Sequence, residues 1–452
     1  MKVGDVKGGD VEQFDVIVIG SGVSGQTAAA ACAAGGKRVA VIDREPFGGT
    51  CGRCGCEPKK VLLAAAEAIT RTAPLLGDGI EGAAAISWPQ LIARKRTFTE
   101  PVPLRITKWL SESGVTLVSG QARIVGDLEV AVGERRLSTA DLVIATGARP
   151  RTLDIAGEEL LTTSAGFMEL EALPQRIVFV GGGYVSFELA DIAHRAGSDV
   201  TIIHRSPHVL AGFDPHLAQK LLDRYRALGI RVLTDSALLA VNQERTGLTL
   251  QTSADEILCD LAVHGAGRIS NADTLGLDTL GVHADHRGVQ VDASLRSAGH
   301  SHVWAIGDSA ALGLPLTPVA IRQGEIVAAN ILGGSELFDG AITTSAVFSD
   351  PPLATVGMSV ADALAAPDRF EVLDHDMDTW FTQHRVGQTH AGARLVVERD
   401  TGKITGAHLL GVNAEEAINV FALAIKVGAT RATLGEVLWA YPTAVSDVRY
   451  LV

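Results

Sequence analysis

Apolar residues recur along the chain in short runs that alternate with helical patterns. Phe14–Gly25 reads FDVIVIGSGVSG, a β-branched run too short for a helix and closed by glycines. That pattern predicts a strand buried on both faces, as in a parallel sheet. Gly20, Gly22 and Gly25 then open an Ala-rich helix, and Arg38–Ile42 predicts a second strand ending on Asp43. The unit recurs further on. Ile177–Val180 is the strand, Gly181, Gly183 and Ser186 take the three small positions, and Val200–Ile203 leads into His204 and Arg205. A helix is predicted over Val61–Arg71, a strand over ILCDLAV around Cys259, a strand over Lys403–Gly411 and a helix over Ala414–Gly428.

Each part of the repeated unit has a physical role. The glycines permit a tight turn and a close approach to pyrophosphate, and the helix N-terminus offers free N–H groups to the phosphates. An acid at the end of the second strand accepts hydrogen bonds from ribose hydroxyls, the role expected of Asp43. In the second unit that acid is replaced by His204 followed by Arg205. An acid repels a 2′-phosphate and a guanidinium clamps one, so the second site is expected to take NADPH in preference to NADH. The competing reading makes Arg205 a solvated surface arginine. Two dinucleotide sites in one chain suggest two different dinucleotides, most economically FAD and NAD(P)H.

The 452 residues suggest about two to four domains. A net charge of −13 argues against a nucleic-acid partner, whose phosphates need a basic surface. No apolar run reaches the ~18 residues of a membrane helix; the Ala-rich stretch Thr27–Ala34 is too short. Residues 1–13 are polar and Gly-rich, without the apolar core of a secretory signal, and are expected to form a loose tail. Of the five cysteines, Cys51, Cys54 and Cys56 lie within six residues. An odd, clustered set points to a reducing, cytoplasmic setting with local redox or metal chemistry.

The cluster reads Gly48-Gly49-Thr50-Cys51-Gly52-Arg53-Cys54-Gly55-Cys56-Glu57-Pro58-Lys59-Lys60. Cys56 falls near the N-terminus of the next helix, where the macrodipole favours a thiolate, and Lys59 or Lys60 adds positive charge. A thiolate there could contact a flavin while Cys51 stays more accessible for exchange. A metal reading competes. A structural zinc wants four ligands, and no second CxxC or paired histidine motif supplies the rest, so no metal site is expected. Cys32 and Cys259 read as core cysteines.

GGTCxxxGCxPxK resembles the redox motif of the pyridine nucleotide-disulfide oxidoreductases, which include glutathione reductase, dihydrolipoamide dehydrogenase and mercuric reductase. The resemblance runs from Phe14 to the end of the chain. Ala145-Thr146-Gly147-Ala148-Arg149-Pro150 resembles the passage between the two nucleotide domains, and Gly267-Arg268 with Asn271 the return crossing. Gly307-Asp308 resembles the segment that holds the FAD ribityl chain, and Thr317-Pro318-Val319-Ala320 the segment beside the flavin ring. Gly49 and Thr50 join the same cofactor site by this resemblance. Glu188 is expected to pair with Lys59 or Lys60 near the flavin, and Tyr184 to cover it until nicotinamide arrives; a surface ion pair and a core tyrosine are the alternatives. The resemblance implies an α/β fold with two doubly wound Rossmann-like nucleotide-binding domains and a C-terminal α+β dimerisation domain. The expected boundaries are 14–150 for FAD, 151–269 for NAD(P), 270–341 for the return to the FAD domain and 342–452 for the interface of a homodimer.

The chain departs from the family at its C-terminal end. Most disulfide reductases of the family carry His-Pro-Thr there, with a glutamate five residues after the histidine. Here Tyr441 replaces the histidine and the acid is Asp447, one place later. A tyrosine, with an ordinary pKa near 10, donates a proton but is a poor base at neutral pH. Tyr441 and Asp447 are therefore expected to orient a substrate or protonate a leaving group; packing at the interface is the alternative for Tyr441. Arg53 stands where the family often has asparagine, Glu325 where an arginine is common, and Cys54 where an apolar residue is usual. The leading expectation is an NADPH-dependent reductase of a small or protein-bound disulfide. The rivals are a metal-ion reductase of the mercuric type, a dihydrolipoamide dehydrogenase, and a quinone or oxygen reductase. Mercuric reductases usually add a C-terminal cysteine pair, and this sequence has no cysteine after Cys259. An acid at position 204 would favour the dihydrolipoamide reading, and His204 stands there instead.

Overall fold

The computed structural model describes residues 11–452. Most of the expected tail lies outside them, but Glu12 and Gln13 already pair with Leu137 and Ser138, so the first strand starts before Phe14. The chain divides into two compact units. One takes the residues up to Pro58 with Arg96–Arg151 and Arg268–Gly340; the other takes Lys59–Lys95, Thr152–Gly267 and Ala341–Val452. The grouping of residues 59–95 with the second unit is not apparent from chain order.

In the first unit, β1 (Glu12–Ile19) is flanked in parallel by β2 (Val39–Asp43) and by Arg135–Ile144. Thr116–Ser119 extends the sheet beyond β2, and Val303–Ala305 adds a parallel strand beside Arg135–Ile144. Val16, Ile17 and Val18 are fully buried, which is why their run is apolar without alternation. Helix α1 (Val23–Ala34) packs on the helix Thr317–Ile331 at backbone contact. A Cβ on Gly324 would stand 2.7 Å from the Ser24 carbonyl oxygen, so only glycine allows that approach.

The second unit holds a five-stranded parallel sheet with Arg176–Val180 at its centre, flanked by Asp199–Ile203 and Leu261–His264. The expected single strand around Cys259 is two strands. Glu256–Cys259 belongs to an antiparallel meander, and Leu261–His264 to the parallel sheet. Asp260 marks the break, its carboxylate taking the Arg176 backbone N–H at 2.8 Å and its guanidinium at 2.6 Å. Ser345–Val347, Leu353–Gly357, Phe370–Asp376, Gly392–Glu398 and Ile404–Leu410 form an antiparallel sheet, covered by the helix Ala414–Val427.

A buried ionic cluster ties that sheet to the nucleotide fold in the second unit. Asp350 Oδ2 accepts from Arg195 at 2.6 Å and Arg224 at 2.9 Å, while Oδ1 accepts from Gln388 at 3.1 Å. Arg195 also reaches Asp191 at 3.3 Å; burial pushes the Asp191 carboxyl up to about 6, against the pull of Arg195. Two guanidiniums thus share one buried carboxylate. Asp350→Ala leaves both without it and is expected to cost about 3–5 kcal/mol of stability, more than Asp350→Asn, in guanidinium unfolding followed by fluorescence.

Candidate functional site

The first glycine turn is held by backbone crowding. Gly20 has φ +111°, and a Cβ there would meet the Ala145 carbonyl oxygen at 2.1 Å. A Cβ on Gly25 would meet the Gly20 carbonyl oxygen at the same distance, so helix α1 sits directly on the turn. Gly22 faces open space, as a turn that receives a phosphate must. Asp43 Oδ2 takes the backbone N–H of Ser21 at 2.7 Å and its hydroxyl at 2.6 Å, and Oδ1 takes the Glu45 N–H at 2.9 Å. The carboxylate expected at a ribose is thus also the clamp of the turn. The Ser21 hydroxyl in turn accepts the Gly48 N–H at 3.0 Å, tying the cysteine segment to the same turn.

The remaining flavin-site candidates gather in this unit. Asn271 donates to the Thr146 carbonyl oxygen at 2.9 Å, and its own N–H is bonded to the Gly147 carbonyl at 2.9 Å. The buried Thr146 hydroxyl has no hydrogen-bond partner among the described residues. Gly307 donates to Gln323 at 2.7 Å, and burial pushes the neighbouring Asp308 carboxyl upward. An open glycine turn, an orphaned hydroxyl and a desolvated carboxyl fit a dinucleotide such as FAD. Gly49 packs against Gly22, where a Cβ would lie 2.4 Å from its Cα. Thr317 and Pro318 begin a helix whose Val319 and Ala320 are buried.

The cysteine segment folds as two helices, α2 (Gly49–Cys54) and α3 (Cys56–Thr72), broken at Gly55. The expected start at Val61 is thus five residues late, and Cys56 is the first helical residue rather than a residue before it. Cys51 Sγ lies 3.3 Å from the Thr317 hydroxyl and is also hydrogen-bonded to Cys56. The bond from Cys56 and then burial push the Cys51 thiol well up. One expectation is reversed. Cys56 is exposed and Cys51 half-buried, because Cys51 sits inside α2 against Thr317 while Cys56 follows the Gly55 break.

In the second unit, Gly181 repeats the crowding of Gly20, with φ +115° and the Gly265 carbonyl oxygen 2.4 Å from a would-be Cβ. Gly183 caps the helix Tyr184–Arg195, Gly267 is open with φ +107°, and the buried Ser186 hydroxyl has no partner among the described residues. His204 holds this turn as Asp43 holds the first. Its Nδ1 accepts the Gly182 N–H at 3.0 Å, and its Nε2–H donates to the His208 carbonyl at 3.1 Å. Only the neutral ring can accept there, and burial, foremost, lowers its proton affinity. Arg205, the guanidinium expected at a 2′-phosphate, is exposed.

Glu188 is buried and takes both lysines, Lys59 at 2.6 Å and Lys60 at 3.4 Å. Its other oxygen accepts the Phe348 N–H at 3.1 Å, an anchor with no motif to announce it. Lys59 Nζ also stands 5.0 Å from the ring of Tyr184, which is 41% exposed. Tyr441 is 71% exposed, whereas Asp447 is buried and accepts the Thr382 hydroxyl. Burial raises the Asp447 carboxyl and Thr382 opposes it. Asp447, the candidate acid, is thus held by Thr382. Among the described residues no cluster of three or more His, Cys, Asp or Glu could hold a metal, and no helix is long and apolar enough to cross a membrane.

Because the His204 proton affinity is lowered on folding, its support of the second turn is complete above pH ~6.5 and is lost as pH falls through its folded value. Nucleotide affinity, read by fluorescence quenching, is expected to weaken on acidification in the native protein and to be flatter with pH in His204→Asn, whose amide oxygen accepts without titrating.

Comparison with known proteins agrees with this geometry. Residues 14–324 match the family described as pyridine nucleotide-disulphide oxidoreductase, and residues 343–451 its dimerisation domain. The chain is 34% identical over 446 residues to a glutathione reductase of Burkholderia cepacia, covering 96% of this chain and 97% of that protein. It is 30% identical over 444 residues to a dihydrolipoyl dehydrogenase of Chlamydia trachomatis, covering 96% and 94%. A mercuric reductase of Lysinibacillus sphaericus is 29% identical over 452 residues, covering 97% of this chain and 82% of that protein. Two nucleotide turns, a dithiol segment and an antiparallel interface domain, matched over nearly the whole length, place this chain in the class I pyridine nucleotide-disulphide oxidoreductases, as an FAD- and pyridine nucleotide-dependent flavoprotein enzyme.

Proposed function

We propose that this enzyme uses NADPH to reduce a small or protein-bound disulfide through the Cys51–Cys56 pair, working as a homodimer. The observation that carries the reading is the hydrogen bond between Cys51 and Cys56. Bound FAD supplies the hydride relay between nicotinamide and dithiol. Gly20, Gly22, Gly25, Gly49, Thr50, Thr146, Gly147, Gly307, Asp308 and the Thr317–Ala320 segment would hold it. The second turn, with Gly181, Gly183 and Ser186, would hold NADPH, with Arg205 at the 2′-phosphate.

Cys56, exposed as the first residue of α3, sits where a helix N-terminus favours a thiolate. Cys51, passing its proton by way of Cys56 to the first substrate thiol released, then attacks the substrate disulfide, and the Cys56 thiolate resolves the mixed disulfide and expels the second thiolate, which takes a proton from solvent. Glu188 orients Lys59 and Lys60. Exposed Leu423, Val427 and Leu438 lie in the matched dimerisation domain and supply an apolar face for a second copy. In that dimer Tyr441, a proton donor rather than a base, would serve the partner's disulfide.

Anaerobic titration of the flavin-loaded protein tests the relay. The native enzyme is expected to take up about two hydride equivalents from NADPH and Cys51→Ser about one; equal uptake would place the cysteines off the electron path. Tyr441→Phe is expected to lower disulfide turnover about 10²-fold while leaving NADPH uptake intact. Hg(II)-stimulated NADPH oxidation without disulfide turnover would favour the metal-ion reductase reading instead.

A further inference from the structure

Cys54 has no part in the two-thiol scheme, yet it belongs to the same short segment. Cys51 and Cys54 lie three residues apart on α2, which runs from Gly49 to Cys54. Helix geometry puts the Cα atoms of positions i and i+3 about 5 Å apart, inside the ~4.4–6.8 Å between Cα atoms that a disulfide accepts. On its other side Cys51 meets Cys56, because the chain turns back at Gly55, where a Cβ would stand 2.9 Å from the Thr50 carbonyl oxygen. Cys54 is half-buried like Cys51 and is the last residue of α2. Cys51 Sγ therefore has a thiol neighbour along its own helix and another across the break.

We propose that Cys54 is a second exchange partner of Cys51, so that the oxidised segment interconverts between a Cys51–Cys56 and a Cys51–Cys54 disulfide. This rests on the reading of Cys51–Cys56 as the working pair. The Cys54 thiolate attacks Cys51 Sγ, the Cys51–Cys56 bond breaks, and Cys56 leaves as the thiolate; the proton lost by Cys54 passes to solvent or to Cys56. One S–S bond forms as one breaks, so no oxidant is consumed. Cys54 can likewise attack a mixed disulfide on Cys51 and expel the substrate thiol. The exchange returns Cys56 as a thiolate while the chain stays at its oxidised level.

The test uses the flavin-loaded Cys56→Ser protein treated with glutathione disulfide, denatured in acid, alkylated and mapped by mass spectrometry. The expected result is a Cys51–Cys54 disulfide, with alkylation lost at both positions and no retained glutathione. A stable glutathione adduct on Cys51 with Cys54 alkylated overturns the proposal, as does free thiol at both. Cys54→Ala is mapped in parallel and is expected to keep Cys51–Cys56; if that bond also fails to form, the working-pair reading fails instead. Should Cys56→Ser not fold, the oxidised native protein decides. Trypsin cuts after Arg53, leaving Cys54 and Cys56 on one peptide, and fragment ions that split Gly55 locate the label. Label on Cys56 within the disulfide-linked peptides supports the exchange, and label confined to Cys54 overturns it.

Discussion

Backbone packed on backbone is the constraint on which both nucleotide turns depend. Gly20 lies against the Ala145 carbonyl and Gly181 against the Gly265 carbonyl, each at positive φ and each with less than 2.5 Å for a side-chain carbon. Any other residue at either place would force a strand and its neighbour apart. Each turn is then closed by an acceptor at the end of the next strand, Asp43 onto Ser21 and His204 onto Gly182, both 22 residues downstream. The two halves of the chain thus reach one solution with different chemistry, an anion in the first and a neutral imidazole in the second.

That difference has consequences for recognition. A carboxylate stays an acceptor through the neutral range, whereas an imidazole does so only while deprotonated. The second turn gives up a pH-independent clamp and loses the negative charge that would repel a phosphate. The dithiol follows the same logic of shared protons. Cys51 is held by Cys56 and Thr317, and the bond from Cys56 with burial pushes its thiol up, while Cys56 is exposed. Glu188 anchors two lysines at once because Phe348 fixes its second oxygen.

Much of this was legible in the order of residues. The glycine spacing, the β-branched runs and the acid at position 43 are local signals, since turn sterics and strand burial act over a few residues. The dithiol segment is equally local, and its resemblance to one family brought Glu188 to the lysines. Legibility stopped where partners are distant. Thr382 claims Asp447 across 65 residues, and Phe348 reaches Glu188 across 160. His204 read only as the loss of an acid, and the direction of the Gly182 N–H shows it to be an acceptor that closes the turn.

The sequence by itself determined two dinucleotide turns, a redox cysteine segment and an interface domain, because each is written in short-range sterics and periodicity. Only the tertiary structure decided which groups share protons. It made Cys51 the half-buried thiol and Cys56 the exposed one, made His204 a neutral clamp, and joined residues 59–95 to the second unit. Burial and hydrogen-bond direction arise from packing between segments far apart in the chain, and no local pattern encodes them.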